Sequence, residues 1–339
     1  MMSLATESGN SEITIISWPQ RVLNRLPFPH GLAWIVLWQI IYVMDYLLTW
    51  RLGGADTGTG SAVFAGLCLF FSCLCAALIY CTRVLERLYP QFIPVISVDA
   101  LEFRQWFIGR MYFSYRGFLP LISGLTVASA ALYTMQVYII QLTPADPLLL
   151  GLRFGYTAVG FFICGVSLWA LVTLTVLPVG MTRLGIKVSV NPYGDVGLRA
   201  LGGAYLRMSL AISVCFMAAV GTAVLAPLEN NPVVLAWLGL AALLIFGFFL
   251  LPQVGIHRVM AQEKSARLAG FSRHLDEAME KTLSDPSPEN MNRLRELFEV
   301  HNHLKAMNEW PFDLTSVWQL LTALVIPILL ALAEWLFKD

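Results

Sequence analysis

Long apolar stretches alternate with short polar connections along nearly the whole chain. Because an α-helix rises about 1.5 Å per residue and the hydrocarbon core of a bilayer is about 30 Å thick, about 20 consecutive apolar residues suffice to cross it. Seven stretches reach this length, at residues 31–50, 61–82, 118–141, 156–181, 208–227, 233–254 and 316–337. The pattern predicts an all-α integral membrane protein with about seven transmembrane helices.

The composition also indicates a membrane protein, and it limits the kinds of binding partner to be expected. Hydrophobic residues make up 57% of the chain and charged residues 13%, whereas a soluble domain carries about 25% charged residues. The 22 basic and 22 acidic residues cancel, so the overall charge gives no reason to expect a nucleic-acid partner. The expected partners are membrane lipids, further copies of the chain, and ions or a small ligand.

The distribution of Lys and Arg predicts the orientation. Connections on the cytoplasmic side of a membrane protein retain an excess of positive charge. With the N-terminus placed inside, nineteen of the 22 basic residues fall on the inner side, and only Arg51, Arg153 and Lys338 fall on the outer side. We therefore predict a cytoplasmic N-terminus, an outer C-terminus and a location in the plasma (inner) membrane.

The connections divide the chain into four predicted parts. Residues 1–30 form a cytoplasmic N-terminus with an interfacial helix, and residues 31–255 form a bundle of six spans. Within the bundle an amphipathic helix is expected along the inner surface at about 98–115, where Leu101, Phe107, Ile108, Met111 and Tyr115 recur at helical spacing. Residues 256–312 form a cytoplasmic segment, and residues 313–339 contain the seventh span and the outer C-terminus.

The segment 256–312 carries two stretches with apolar residues three and four positions apart. Between them, residues 284–289 contain a helix-stopping sequence followed by Ser287 and Pro288, which are typical of a new helix start. The sequence thus predicts an antiparallel helical hairpin. Its apolar seam, formed between the two arms or between subunits, is expected to contain Phe271, Leu275, Leu294 and Phe298.

Ionisable residues inside the spans are the first place to look for function, because each costs about 2.5–3.5 kcal/mol on insertion scales. By the boundaries above, spans two to six contain none, which argues against a proton-coupled pump. Asp45 in the first span lies beside Tyr42 and Tyr46 and is expected to snorkel to the surface or pair with another helix.

The seventh span carries a polar stripe. At 100° per residue, Ser316, Gln319 and Glu334 share a face, and Thr322 lies at its edge. A stripe of this kind lines a water-filled path or makes hydrogen bonds between helices. We take these four residues as pore-lining candidates.

No cofactor, metal site or catalytic group is predicted. Cys68, Cys73, Cys75 and Cys81 lack CxxC spacing and a companion His. The two histidine pairs considered are His301 with His303 and His257 with His274. His301 and His303 stand two positions apart and so point to different faces of a helix, which makes them a poor chelate. An enzyme would need an unfamiliar site.

Two strings, NPYGDVGL at 191–198 and NEWPFD at 308–313, resemble those of a group of uncharacterised prokaryotic membrane proteins. The overall plan is similar to that of the seven-transmembrane insect odorant and gustatory receptor channels, which have an inner N-terminus and a cytoplasmic extension before the last span. That resemblance implies a tetramer anchored by the extension and a cation pore lined by the seventh span. The seventh span here reads SVWQLLTALVIP at 316–327 and lacks the Thr-Tyr signature of those receptors.

Three functional hypotheses follow. The leading one is an oligomeric, channel-like protein, in particular a cation channel whose seventh span lines the path. The second is a membrane-anchored signalling or scaffolding module that acts through the hairpin. The third is a lipid-handling enzyme or flippase that uses the basic, aromatic helix at the inner surface.

Overall fold

The structure, a computed structural model, describes residues 20, 29–51, 58–93, 96–115, 117–141, 146–185, 198–225, 232–306, 310 and 314–336. The described ranges contain nine helices: α1 (His30–Arg51), α2 (Gly58–Phe92), α3 (Ala100–Tyr115), α4 (Phe118–Gln141), α5 (Pro147–Arg183), α6 (Leu198–Leu225), α7 (Pro232–Ser284), α8 (Pro288–Ala306) and α9 (Leu314–Leu336). The interfacial helix predicted within 1–30 and the strings at 191–198 and 308–313 fall almost wholly outside the described residues.

The helices are apolar enough to make this a multi-pass membrane protein. Six helical segments among the described residues have the length and composition needed to cross a bilayer, and in α9 the described apolar stretch covers Val317–Ile326. This agrees with the predicted membrane class and with six to seven spans.

Helix α2 occupies the centre of the bundle. It packs against α1, α5 and α6, while α4 packs on α5, α7 lies against both α5 and α6, and α9 packs on α6. Large side chains such as Trp38 and Phe71 are almost completely buried where α1 meets α2, and their rings lie 5.0 Å apart. The core therefore forms along the faces of α2.

Small residues bring α4 and α5 into close contact. A Cβ added to Gly165 would stand 2.3 Å from the backbone oxygen of Ser123, so only glycine fits there. The Ser123 hydroxyl donates a hydrogen bond of 2.7 Å to the Gly165 carbonyl. Small residues at helix crossings, with hydroxyl groups bonded across them, are typical of packing between membrane helices.

Helix α5 begins earlier than the apolar pattern alone suggests. Asp146 caps it by accepting hydrogen bonds from the backbone N–H groups of Leu148 and Leu149, at 2.9 and 3.0 Å. Pro147 follows at the start of the helix, where its missing N–H costs nothing. The helix ends before Gly185, whose φ of +78° favours glycine. The predicted span 156–181 therefore gains more than two turns at its N-terminal end.

A proline inside α5 is compensated by a side chain from α6. Pro178 has no N–H, so the carbonyl of Leu174, four residues earlier, loses its usual helical donor. The hydroxyl of Tyr205 donates a hydrogen bond of 2.5 Å to that carbonyl. Because Tyr205 is fully buried, this hydrogen bond ties α5 to α6 inside the bundle.

Helix α3 occupies the position predicted for the inner-surface helix, but its buried face differs from the expected one. Phe103, Phe107, Met111 and Tyr115 are buried, whereas Leu101 is 61% exposed. The ring of Phe103 stacks on Tyr89 of α2 with 5.4 Å between centroids, and Thr82 and Tyr115 share a hydrogen bond of 3.0 Å. The apolar face of α3 therefore packs on protein.

Helices α7 and α8 form a long projection. Since each helical residue adds about 1.5 Å, the 53 residues of α7 extend for about 80 Å, well beyond the thickness of a bilayer. α8 folds back along the C-terminal half of α7. The break between them lies where it was predicted, with the backbone N–H of Asn290 donating to the Ser287 hydroxyl at 3.3 Å. We refer to residues 261–306 as the α7–α8 arm.

Candidate functional site

A buried ion pair joins α1 to α5. The guanidinium of Arg153 donates two hydrogen bonds to the carboxylate of Asp45, from Nε to Oδ1 at 2.9 Å and from Nη2 to Oδ2 at 3.0 Å. Nη2 also donates to the hydroxyl of Thr49 at 3.1 Å. The two charged side chains are 4% and 1% exposed. Such a two-pronged pair fixes both the distance and the rotation between the two helices.

Aromatic rings complete the surroundings of the pair. The guanidinium carbon of Arg153 lies 4.2 Å from the centroid of the Phe64 ring, which comes from α2. Tyr156, one turn along α5, packs edge-on against the same ring at 5.5 Å. A cation over an aromatic face gains electrostatic stabilisation, more so when water is excluded. Three helices thus converge on one cationic group.

The position of Arg153 corrects two sequence predictions. It was assigned to an outer loop, and spans two to six were expected to contain no ionisable group; in the structure it lies inside α5 and is 1% exposed. The reason is the cap at Asp146 and Pro147, which starts the helix before the apolar stretch begins. The Asp-Pro pair carried this signal in the sequence. Of the two roles expected for Asp45, snorkelling to the surface and pairing with another helix, the structure shows the pairing, with Arg153 of α5.

A crevice opens beside the ion pair, between α1 and α5. It has a volume of about 860 Å³, and Asp45 is one of its wall residues. Its walls are otherwise almost entirely apolar or aromatic. Trp38 and Ile163 form a buried floor, whereas Met44 and Val159 are more than half exposed at the rim. The crevice therefore opens at the side of the bundle, between α1 and α5.

A second cavity lies inside the bundle. It has a volume of about 280 Å³ and is bounded by residues of α2 and α4–α7. Phe70, Leu74 and Phe161 are typical of its walls. Although a few hydroxyls contribute, Thr222 and Ser167 donate theirs to backbone carbonyls of their own helices, at 2.7 and 2.6 Å. The cavity thus offers an apolar surface, no charged group and one buried hydroxyl, that of Thr157, which makes no hydrogen bond among the described residues.

The polar stripe of α9 can be followed for two of its four members. Gln319 and Thr322 are exposed, while Leu320 and Leu324 are buried, where α9 packs on α6. Thr322 donates its hydroxyl to the carbonyl of Trp318 at 2.7 Å. The side chains of Ser316 and Glu334 lie outside the described part of the chain.

Three of the four residues predicted for the seam lie between α7 and α8. Phe271, Leu275 and Leu294 are half-buried where α8 lies along α7. Phe298 is 41% exposed and points away from α7. Its neighbour Leu297 is the half-buried residue at that level, because the spacing that continues from Leu294 is three residues there. Between α7 and α8, the seam therefore contains Leu297 in place of Phe298.

Histidine and cysteine side chains are the remaining candidates for a metal site. Within the described ranges, no group of three or more His, Cys, Asp or Glu side chains is placed to hold a metal ion. His257 stacks on Trp310 with 3.9 Å between centroids, and His301 lies against Phe271 in the arm at 6.4 Å. These contacts give both rings a packing role.

Comparison with known proteins adds no relative: no protein-family model, no curated protein and no solved structure matches the chain. The functional argument therefore depends on the geometry described above.

Proposed function

We propose that the protein is an oligomeric, channel-like membrane protein with seven spans, in which α9 faces a central path between subunits. In this arrangement the N-terminus and the α7–α8 arm are cytoplasmic and the C-terminus is outside, in the plasma (inner) membrane. The proposal joins the charge distribution of the sequence to the packing of α9.

The observation that carries the proposal is the position of Gln319. In a single chain, α9 buries Leu320 and Leu324 against α6 and leaves Gln319 exposed. An amide facing hydrocarbon is costly, because lipid tails supply no hydrogen-bond partner. A neighbouring subunit or a water-filled path would supply one.

The test is single-channel current from the purified protein in planar bilayers. The wild-type protein is compared with Gln319→Leu and Glu334→Gln. Val325→Ile is the control, since Val325 is exposed about 120° around α9 from Gln319. A cation current that Gln319→Leu reduces and Val325→Ile leaves unchanged supports the proposal. Absence of current from the wild-type protein would overturn it.

Glu334 has its own prediction within this test. One glutamate per subunit near the outer mouth would form an acidic ring that concentrates cations at the entrance. Since charge is screened over about 10 Å at 0.1 M salt, Glu334→Gln should lower the current most at low ionic strength. An unchanged current at low salt would show that Glu334 does not lie at the channel entrance, and the channel proposal would still stand.

A second candidate function, handling of a membrane lipid, is favoured by the crevice between α1 and α5. Its apolar walls and sideways opening suit an acyl chain entering from the bilayer. Gly155 lies on the wall with open space beside it, so Gly155→Leu should narrow the crevice. Gly239→Leu, at an equally open position on α7, is the control. Movement of a fluorescent phospholipid between leaflets, slowed by the first variant alone, would support this candidate; no movement with the wild-type protein would reject it.

A further inference from the structure

The α7–α8 arm is built as an antiparallel two-helix pair with a regular seam. Buried and half-buried side chains recur at alternating spacings of four and three, as in a heptad repeat. They are Lys264, Leu268, Phe271, Leu275, Ala278 and Thr282 on α7, and Asn290, Leu294, Leu297, His301 and Leu304 on α8. The helices are in register, because Thr282 donates to the carbonyl of Asn290 at 3.3 Å and Phe271 contacts His301.

Four large apolar side chains lie outside this seam on the same side of the arm. Met279, Leu283, Met291 and Phe298 are 44%, 80%, 58% and 41% exposed, and each directly follows a seam residue. Seen from one end of an antiparallel pair, successive side chains rotate clockwise on one helix and anticlockwise on the other. Residues that directly follow a seam position therefore lie on the same side of the pair on both helices. These four residues form what we call the apolar flank.

The opposite side of the arm has a different character. The residues that precede seam positions there are mostly polar or charged, and both signs of charge occur among them: Glu263, Arg267, Gly270, His274, Glu277, Lys281, Glu289, Arg293, Glu296, Val300 and His303. The arm thus has one side with a concentrated apolar patch and one mainly polar side, and a concentrated exposed apolar patch marks an interaction surface.

The geometry of a membrane favours a second copy of this chain as the occupant of the apolar flank. α7 runs without a break from its apolar half into the arm, so two copies in one membrane hold their arms in the same direction. A two-fold axis along the membrane normal then brings the two flanks face to face with their tips level. In that arrangement α7 of one copy stands opposite α8 of the other.

Charges at the edges of the flank fit this arrangement. The register places Arg273 level with Glu299, and Asp276 level with Glu296, one residue from Arg295. All five groups are exposed, and within one chain Arg295 and Glu299 form an ion pair of 3.4 Å with side chains 80% and 65% exposed. Across the two-fold axis, Arg273 would lie near Glu299 of the second copy, and Asp276 would lie near Arg295 of the second copy.

We propose that the apolar flank is a self-association surface. Arms of two copies pair through it, Asp276 of one copy meets Arg295 of the second copy, and Arg273 meets Glu299 of the second copy. The inference rests on the oligomer of the proposed function and supplies its contact surface outside the membrane.

The test is energy transfer between donor-labelled and acceptor-labelled full-length copies in liposomes, followed as the protein is diluted in lipid. Phe298→Glu should weaken association by roughly tenfold or more, as expected when a central apolar contact is lost. Val300→Glu, on the side opposite the apolar flank and similarly exposed at 46%, is the control and should change association little. Equal weakening by both variants would overturn the inference.

A charge exchange tests the pairing itself. Asp276→Arg should weaken association, and adding Arg295→Asp to the same chain should restore it, because each new charge again meets its opposite across the axis. Failure of the restoration would overturn the proposed register. Current measurements on the same samples separate the two proposals. If the wild-type protein conducts and Phe298→Glu does not weaken association, the self-association surface is wrong and the channel proposal stands. If the wild-type protein does not conduct and Phe298→Glu weakens association, the channel proposal is wrong and the self-association surface stands.

Discussion

Arg153 donates two hydrogen bonds to Asp45, which precedes it by 108 positions. The pair joins α5 to α1, a helix whose outward side chains, such as Met44 and Leu47, are more than half exposed. Neither charge has solvent to compensate for the loss of its partner. Each therefore depends on the other, and the position of α1 depends on both.

Removing one partner should be far worse than removing both. Asp45→Asn leaves the Arg153 guanidinium buried without its counter-charge, and breaking a buried pair in this way typically costs about 3–5 kcal/mol. Replacing both residues, as in Asp45→Leu with Arg153→Met, should recover much of the loss because no uncompensated charge remains. The measurement is thermal unfolding of the purified protein in detergent.

Glu102→Gln is the control for this series, since Glu102 is an exposed carboxylate in the first turn of α3. It should leave the unfolding temperature nearly unchanged. If Asp45→Asn were as mild as Glu102→Gln, the pair would not hold α1 in place.

The close contact between α4 and α5 predicts that replacing Gly165 lowers the stability of the protein. In Gly165→Ala the new methyl group meets the backbone oxygen of Ser123 at 2.3 Å, and relieving this clash requires α4 to move. Overpacking of this kind typically costs about 1–3 kcal/mol. Gly155→Ala, on the same helix with open space around it, should be neutral or slightly stabilising because alanine favours the helix. Equal unfolding temperatures for the two variants would contradict the close contact.

Apolar length was enough to predict the class of the protein, because a bilayer demands about 20 apolar residues per crossing. Each of the seven predicted stretches overlaps a helix of the structure. It was not enough to place Arg153, because the start of α5 is decided by the cap at Asp146 and Pro147 and not by hydropathy. Helix ends depend on hydrogen bonds that a hydropathy pattern does not record.

Partners across helices were the other part that the sequence did not predict. The apolar spacing in the arm is compatible with Leu297 or Phe298 at the seam, and only the register of α8 on α7 decides between them. Likewise, nothing near Arg153 in the sequence identifies Asp45 as its partner. Contacts between distant residues follow from how whole helices pack, which a periodic pattern on one helix leaves open.

The predicted orientation is tested by tags in sealed cells. A tag at the N-terminus and one at the break near Ser287 should be protected from an external reagent, whereas one after Asp339 should react. The basis is the positive charge of the inner connections. Of the three basic residues assigned to the outer side, Arg153 lies in α5 and pairs with Asp45. A reactive tag near Ser287 would reverse the orientation.

The hydrogen bond from Tyr205 to Leu174 predicts that loss of the Tyr205 hydroxyl can be compensated by a second substitution, at Pro178. Tyr205→Phe removes the hydroxyl that compensates for Pro178, and the buried carbonyl of Leu174 is left without a donor, at a cost of about 1–3 kcal/mol. Pro178→Ala restores the backbone N–H at that position, so it should make Tyr205→Phe much less harmful. Tyr133→Phe, at a side chain that is 77% exposed, is the control. The four unfolding free energies of the double-mutant cycle measure the coupling. If Tyr205→Phe costs the same with and without Pro178, the tyrosine acts by packing alone and the proposed compensation is wrong.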